Sequence, residues 1–201
     1  MIIVGLDVAA TTGFSVFDGS SIRAGEFKAK GDTDGAIFRS FEDQLRGMLI
    51  DARCTHLAME EPLRSDLTKT TVVGVGQSNA FGGMPMKAKT PITTVSTMRR
   101  LYGLAAIVQK IAHDLAIPMD EVNQKSWRSC FLGPVSPPKG CKDRTGWWKD
   151  QSLAKARSMG LDIKSKDAAD AVGVGYYLHL KLNGSAFGDD LFANGGNNAH
   201  R

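Results

Sequence analysis

The strongest constraint on this chain lies in its first seven residues. Ile2-Ile3-Val4-Gly5-Leu6 is a short apolar run of the kind that forms a buried strand, and it ends in a carboxylate, Asp7. Taking an ionised Asp out of water is costly unless an opposite charge or a coordinated cation compensates it. That favours a site, with a metal ion as the natural partner. The simpler alternative is that Asp7 closes a strand and opens the Thr/Gly turn before the next apolar run, Phe14–Phe17. The two alternatives separate on whether other carboxylates sit in comparable apolar settings farther along.

Three do. Glu60 closes the short apolar run His56-Leu57-Ala58-Met59, and Pro62 ends that strand because it cannot donate to a sheet ladder. Asp167 and Asp170 lie in Lys166-Asp167-Ala168-Ala169-Asp170-Ala171, where a helical spacing of i, i+3 puts both on one face. Asp167 in a first turn also suits the helix dipole. Asp170 has no such local reason, and the small alanines beside it would let the helix approach a sheet closely. Hard oxygen ligands of this kind suit Mg²⁺ or Mn²⁺ rather than zinc. Two such ions about 4 Å apart can serve the attacking and leaving oxygens of a phosphoryl displacement. Asp7, from the central strand, is the carboxylate expected to bridge them. His56 and His113 are isolated, and no Cys–His or Ser–His–Asp pattern competes.

The order of elements is consistent with an α/β fold. Ile2–Asp7, Phe14–Phe17 and Ile22–Phe27 form three strands, with Asp18-Gly19-Ser20-Ser21 as a hairpin turn. Ile37, Phe38, Phe41, Leu45, Met48 and Leu49 predict a helix to about Asp51, and His56–Met59 a strand. Leu63–Thr97 is the least regular stretch and is expected to be a long loop. A helix follows from Met98 to Pro118, then a short strand Met119–Val122. Phe131–Gly146 is expected as a second, basic loop, Trp148–Met159 as a short helix, and Ser165 to about Asn183 as the last helix. One domain is expected over residues 1–182, with 183–201 as a flexible tail.

Charge is unevenly spread. Leu67–His113 holds six Lys/Arg and no acid, and Glu121–Lys166 holds ten Lys/Arg against four acids, so each is +6 within a total of +4. Two basic segments around an acidic centre suit a polyanion-binding surface. Lys87, Lys89, Arg99, Arg100, Lys125, Arg128, Lys139, Lys142, Arg144 and Lys149 are the candidate phosphate contacts. Phe81, among small residues, is a candidate wedge into an unstacked base step or else a loop anchor. Trp147-Trp148 is expected to pack in the core or at a helix start, the alternative being a base platform. Three scattered cysteines suit reduced thiols in the cytoplasm. No secretory signal and no membrane-spanning run are evident, so no membrane partner is expected.

Taken in order, Ile3-Val4-Gly5-Leu6-Asp7 with Thr12-Gly13-Phe14-Ser15-Val16, Leu57-Ala58-Met59-Glu60, Leu101-Tyr102-Gly103-Leu104-Ala105 and Asp167-Ala168-Ala169-Asp170-Ala171 resemble the RuvC Holliday junction resolvases. The resemblance implies an RNase H-like fold: a five-stranded mixed sheet with strands 1–3 antiparallel, flanked by helices. It implies a homodimer that cuts four-way DNA junctions by paired symmetrical hydrolysis, leaving 5′-phosphate and 3′-OH ends. Asp7, Glu60, Asp167 and Asp170 inherit the role of catalytic metal ligands, with two Mg²⁺ or Mn²⁺ ions per site and no nucleotide cofactor. Val8-Ala9 stand where the family usually has Pro-Gly, the Leu63–Thr97 stretch is longer than in typical bacterial members, and the chain as a whole resembles phage and prophage resolvases more than the housekeeping bacterial ones. Glu61 adjoins Glu60, but strand alternation lets one of them face the site, and the motif register favours Glu60.

Three other functions fit parts of the pattern. A related nuclease could act on flaps, forks or structured RNA. An actin-like ATPase would explain Gly5-Leu6-Asp7 with Thr11-Thr12-Gly13 as a phosphate loop, though such proteins need a second lobe. A non-catalytic branched-DNA-binding module would keep the basic segments without needing four acids.

Overall fold

The computed structural model describes residues 1–62, 68–73, 86–91 and 94–184. Its centre is a five-stranded mixed sheet in the order β3-β2-β1-β4-β7. β1 (Ile3–Asp7) pairs antiparallel with β2 (Thr11–Phe17), and β2 with β3 (Ile22–Lys28). On its other side β1 pairs parallel with β4 (His56–Glu60), and β4 with β7 (Met119–Val122). The expected five-stranded sheet with three antiparallel leading strands is therefore what the chain forms.

Strand alternation divides the sheet into two faces. Val4, Leu6, Leu57 and Met59 point to one face, where they pack on α1 (Asp34–Asp51) and α2 (Val95–Asp114) through Phe41, Leu45, Leu104 and Val108. Ile3, Phe17 and Ala58 point to the other, where α3 (Gln124–Leu132), α4 (Arg144–Ser158) and α5 (Lys166–Asn183) lie. By the same alternation Gly5, Asp7 and Glu60 belong to the α5 face.

α5 comes unusually close to the sheet. A methyl group added at Gly5 would lie 2.5 Å from the carbonyl oxygen of Ala171, and one at Gly13 would run into the backbone of Asp167 and Ala168. The buried Ser15 hydroxyl donates to the same Ala171 carbonyl at 2.7 Å. Glycine on the strands and alanine on the helix thus bring the acid-bearing part of α5 onto the strand ends.

The structure corrects several boundaries. β2 starts at Thr11, not Phe14: Thr11, Thr12 and Gly13 pair with Lys28, Phe27 and Glu26. The bend after Asp7 is Val8-Ala9-Ala10, closed by the Thr12 hydroxyl donating to the Ala9 carbonyl at 2.5 Å. Within the stretch expected to be a loop, β5 (Thr68–Val73) and β6 (Met86–Pro91) form an antiparallel two-stranded ribbon. Its signal was the β-branched run Thr70-Thr71-Val72-Val73. The basic loop narrows to residues 133–143, because α3 occupies 124–132 and Asp143 caps α4 from Gly146 N–H. Trp127 and Phe131, i and i+4, are the two anchors that make α3 worth folding. No helix among the described residues is long and apolar enough to cross a membrane. The expected flexible tail lies, apart from Asn183 and Gly184, outside the described residues.

Candidate active site

β1 and β4 run parallel with Leu6 opposite Met59, so Asp7 and Glu60 are the next positions on adjacent strands. Neighbouring strands lie about 4.8 Å apart. Both carboxylates leave the carboxyl end of the sheet, the usual place for a site in an open α/β fold. α5 brings Asp170 to the same place, 2% exposed. Asp7, Glu60 and Asp170 line one cleft of about 330 Å³, together with Gln124, Arg128, Thr145 and Lys149.

Three acids in one cleft, Asp170 buried and Asp7 and Glu60 half-buried, resist ionisation together. The Asp7 carboxyl is pushed up to about 8, first by burial and then by the charges of Glu60 and Asp170, while Lys149 pulls the other way. Burial also raises Glu60, opposed by Arg128 and by hydrogen bonds from Trp127 and Gln124. Burial raises Asp170 against the Ser152 hydroxyl, Lys149 and Arg128. One oxygen of Asp170, Oδ1, is buried with no hydrogen-bond partner.

Asp167 is set differently. It lies one turn earlier on α5, outside the cleft lining, and its carboxylate is ion-paired with the Lys149 ammonium. The same ammonium is 3.9 Å from Asp7 Oδ2. The expected set of four therefore divides into three acids in the cleft and a fourth joined to them through Lys149. Glu61 also reaches the cleft rim, where its Oε2 accepts from Asn123 Nδ2 at 2.9 Å.

The donor set suits a hard divalent cation: oxygen ligands only, an orphaned buried oxygen on Asp170, and an Asp7 carboxyl that burial and its acidic neighbours push upward. Among the described residues no three acids are already gathered tightly enough to cage an ion. Lys149 supplies the positive charge between Asp7 and Asp167 instead.

Two of the expected phosphate contacts reach this cleft. Arg128 and Lys149 line it. The Arg128 guanidinium lies 5.2 Å from the Trp127 ring and 5.3 Å from that of Trp148. Arg99, Lys125, Lys139, Lys142 and Arg144 are exposed. Arg100 is engaged in an ion pair with Asp34 of α1 at 2.7 Å, which ties α2 to α1. Lys87 and Lys89 lie on β6 opposite Val72 and Thr70. Phe81 lies outside the described residues. Trp147 and Trp148 meet edge to face at the start of α4, as expected.

Sequence reasoning missed Gln124 and Trp127, the neutral groups that hold Glu60, and Ser152, whose hydroxyl opposes the rise of Asp170. Their side chains carry no periodic or charge signal, and only the docking of α3 and α4 reveals them.

No protein-family model and no curated protein matches the chain. Solved structures do. Thermus thermophilus RuvC in complex with a Holliday junction substrate superposes with a TM-score of 0.58 at 10% identity, over 91% of this chain and 96% of that one. A second structure of Thermus thermophilus RuvC gives 0.59 at 12% identity, over 90% and 95%. The fold is therefore the RuvC-type RNase H-like fold.

Proposed function

We propose that this chain is a metal-dependent, structure-selective DNA endonuclease that resolves four-way junctions as a homodimer. One observation carries the reading: a RuvC-type sheet delivers Asp7, Glu60 and Asp170 to one cleft where Asp7 is pushed up to about 8. A cleft with that much uncompensated acid, beside Arg128 and Lys149, is suited to divalent cations and a phosphodiester. The likeness to a RuvC solved with a Holliday junction substrate supports branched DNA as the ligand.

Asp7, Glu60 and Asp170 would hold Mg²⁺ or Mn²⁺, with Asp167 as a fourth ligand, two ions per site. Bound there, the metal would activate water and relieve charge on the leaving 3′-oxygen. The protein's own share is positioning. β1 and β4 fix two carboxylates side by side, and the close seating of α5 on Gly5 and Gly13 fixes the third. Arg128, steadied by two indole rings, and Lys149 offer cations to the phosphate. The exposed Lys139, Lys142 and Arg144 extend that positive surface without reading sequence.

A cleavage panel of labelled four-way, three-way, flap and duplex DNA with Mg²⁺ or Mn²⁺ tests the reading. Paired symmetrical nicks confined to the four-way junction support resolution, and equal cutting of flaps or plain duplex sinks it. Light scattering at micromolar concentration should show a dimer.

A further inference from the structure

Glu60 differs from the other three acids in having one more side-chain torsion to immobilise, at a strand end that Pro62 truncates. The structure immobilises it from a single helix. The Gln124 side-chain amide donates to Glu60 Oε1 at 2.7 Å, and the Trp127 indole N–H donates to Oε2 at 2.9 Å. The two donors are i and i+3 on α3 and so share a face. Both are neutral, so they orient the carboxylate without cancelling its charge. Each takes one of the four acceptor positions of a carboxylate, leaving two for a cation.

Trp127 has a second contact that matters as much. Its ring is fully buried where Gly173 lacks a side chain: a methyl group at Gly173 would lie 2.5 Å from Trp127 Cε3. Gly173 is three residues beyond Asp170 on α5. One indole therefore touches the acid of β4 with its nitrogen and the helix bearing Asp170 with its ring.

We propose that Gln124 and Trp127 are positioning residues that set Glu60 against Asp170 for divalent-cation binding. This rests on the nuclease reading above. Residues that orient metal-binding side chains in this way typically contribute about 10- to 100-fold in metal affinity or activity.

Two variants of the whole chain test it. Gln124→Leu keeps bulk at a half-exposed position, and Trp127→Phe keeps a ring against Gly173 while removing the N–H. Mn²⁺ binding is measured by calorimetry without DNA, and junction cleavage is measured across Mn²⁺ concentrations. Each variant should weaken Mn²⁺ binding and raise the half-activating Mn²⁺ concentration by about tenfold. Junction affinity in Ca²⁺ should hold, and cleavage at saturating Mn²⁺ should fall less than cleavage at low Mn²⁺. If the wild-type protein binds Mn²⁺ and cuts junctions while both variants match it within about twofold, the positioning role is refuted and the nuclease reading stands. A wild-type protein that neither binds Mn²⁺ nor cuts refutes both. Should Trp127→Phe fail to fold, Gln124→Leu decides alone.

Discussion

Replacing Asp7 with Asn should stabilise the metal-free protein, and increasingly so as pH rises. Asp7 has a side chain only 20% exposed, and its carboxyl is pushed from 3.8 to about 8. The folded state thus binds a proton more tightly than the unfolded chain. Between about pH 4 and 8 the folded protein carries more protons, so stability falls as pH rises through that window, with the full penalty present above pH 8. Each pH step is worth about 1.4 kcal/mol, which sets a ceiling of about 6 kcal/mol. Coupling to Glu60 and Asp170, and water entering an open cleft, reduce this to about 2 kcal/mol, on the effective-dielectric argument. For a chain of this size that is roughly 4–8 °C in Tm. Differential scanning calorimetry in EDTA from pH 5 to 9 should show Asp7→Asn melting above wild type, with a gap that widens with pH. Adding Mg²⁺ should narrow or reverse it, because a cation that binds only the folded wild-type protein at 100 times its Kd stabilises by about 2.7 kcal/mol. A gap that does not change with pH, or a variant less stable than wild type at pH 9, would refute the reasoning.

Gly13→Ala places a methyl group in the backbone of α5 at Asp167 and should destabilise by about 2–3 kcal/mol, measured by urea denaturation. Lys149→Met removes the cation shared by Asp7 and Asp167. It should destabilise the metal-free protein at pH 8 by about 1 kcal/mol or more, read as a lower Tm, while enlarging the stabilisation given by Mg²⁺. Arg128→Ala should weaken junction binding in Ca²⁺ and flatten its logarithmic salt dependence by about one, read from anisotropy titrations at several salt concentrations.

Much of the site was legible because its signals are local. An acid at the end of an apolar run, in β1 and again in β4, contradicts ordinary burial, and Asp167 with Asp170 at helical spacing next to alanines does so again. The boundaries were less legible where two readings shared one composition. Thr11-Thr12-Gly13 suggests a turn as readily as a strand, and the pairing with Lys28, Phe27 and Glu26 settles it. α3 was missed because two anchors, Trp127 and Phe131, just before a proline-rich loop make a weak periodic signal. Composition also gives no way to rank the basic residues by their place in the fold. Arg100 pairs with Asp34, whereas Arg128 and Lys149 enter the cleft.

The sequence alone determined the mixed sheet, its antiparallel start, and which four acids needed an explanation, since alternation, helical spacing and turn residues act over a few positions. Only the tertiary structure decided how those acids relate. The parallel register of β1 and β4 puts Asp7 beside Glu60, and the close seating of α5 on glycine admits Asp170 to the cleft. One turn along the same helix, Lys149 ties Asp167 up outside it. Such relations depend on docking between elements far apart in the chain, and no local pattern encodes them.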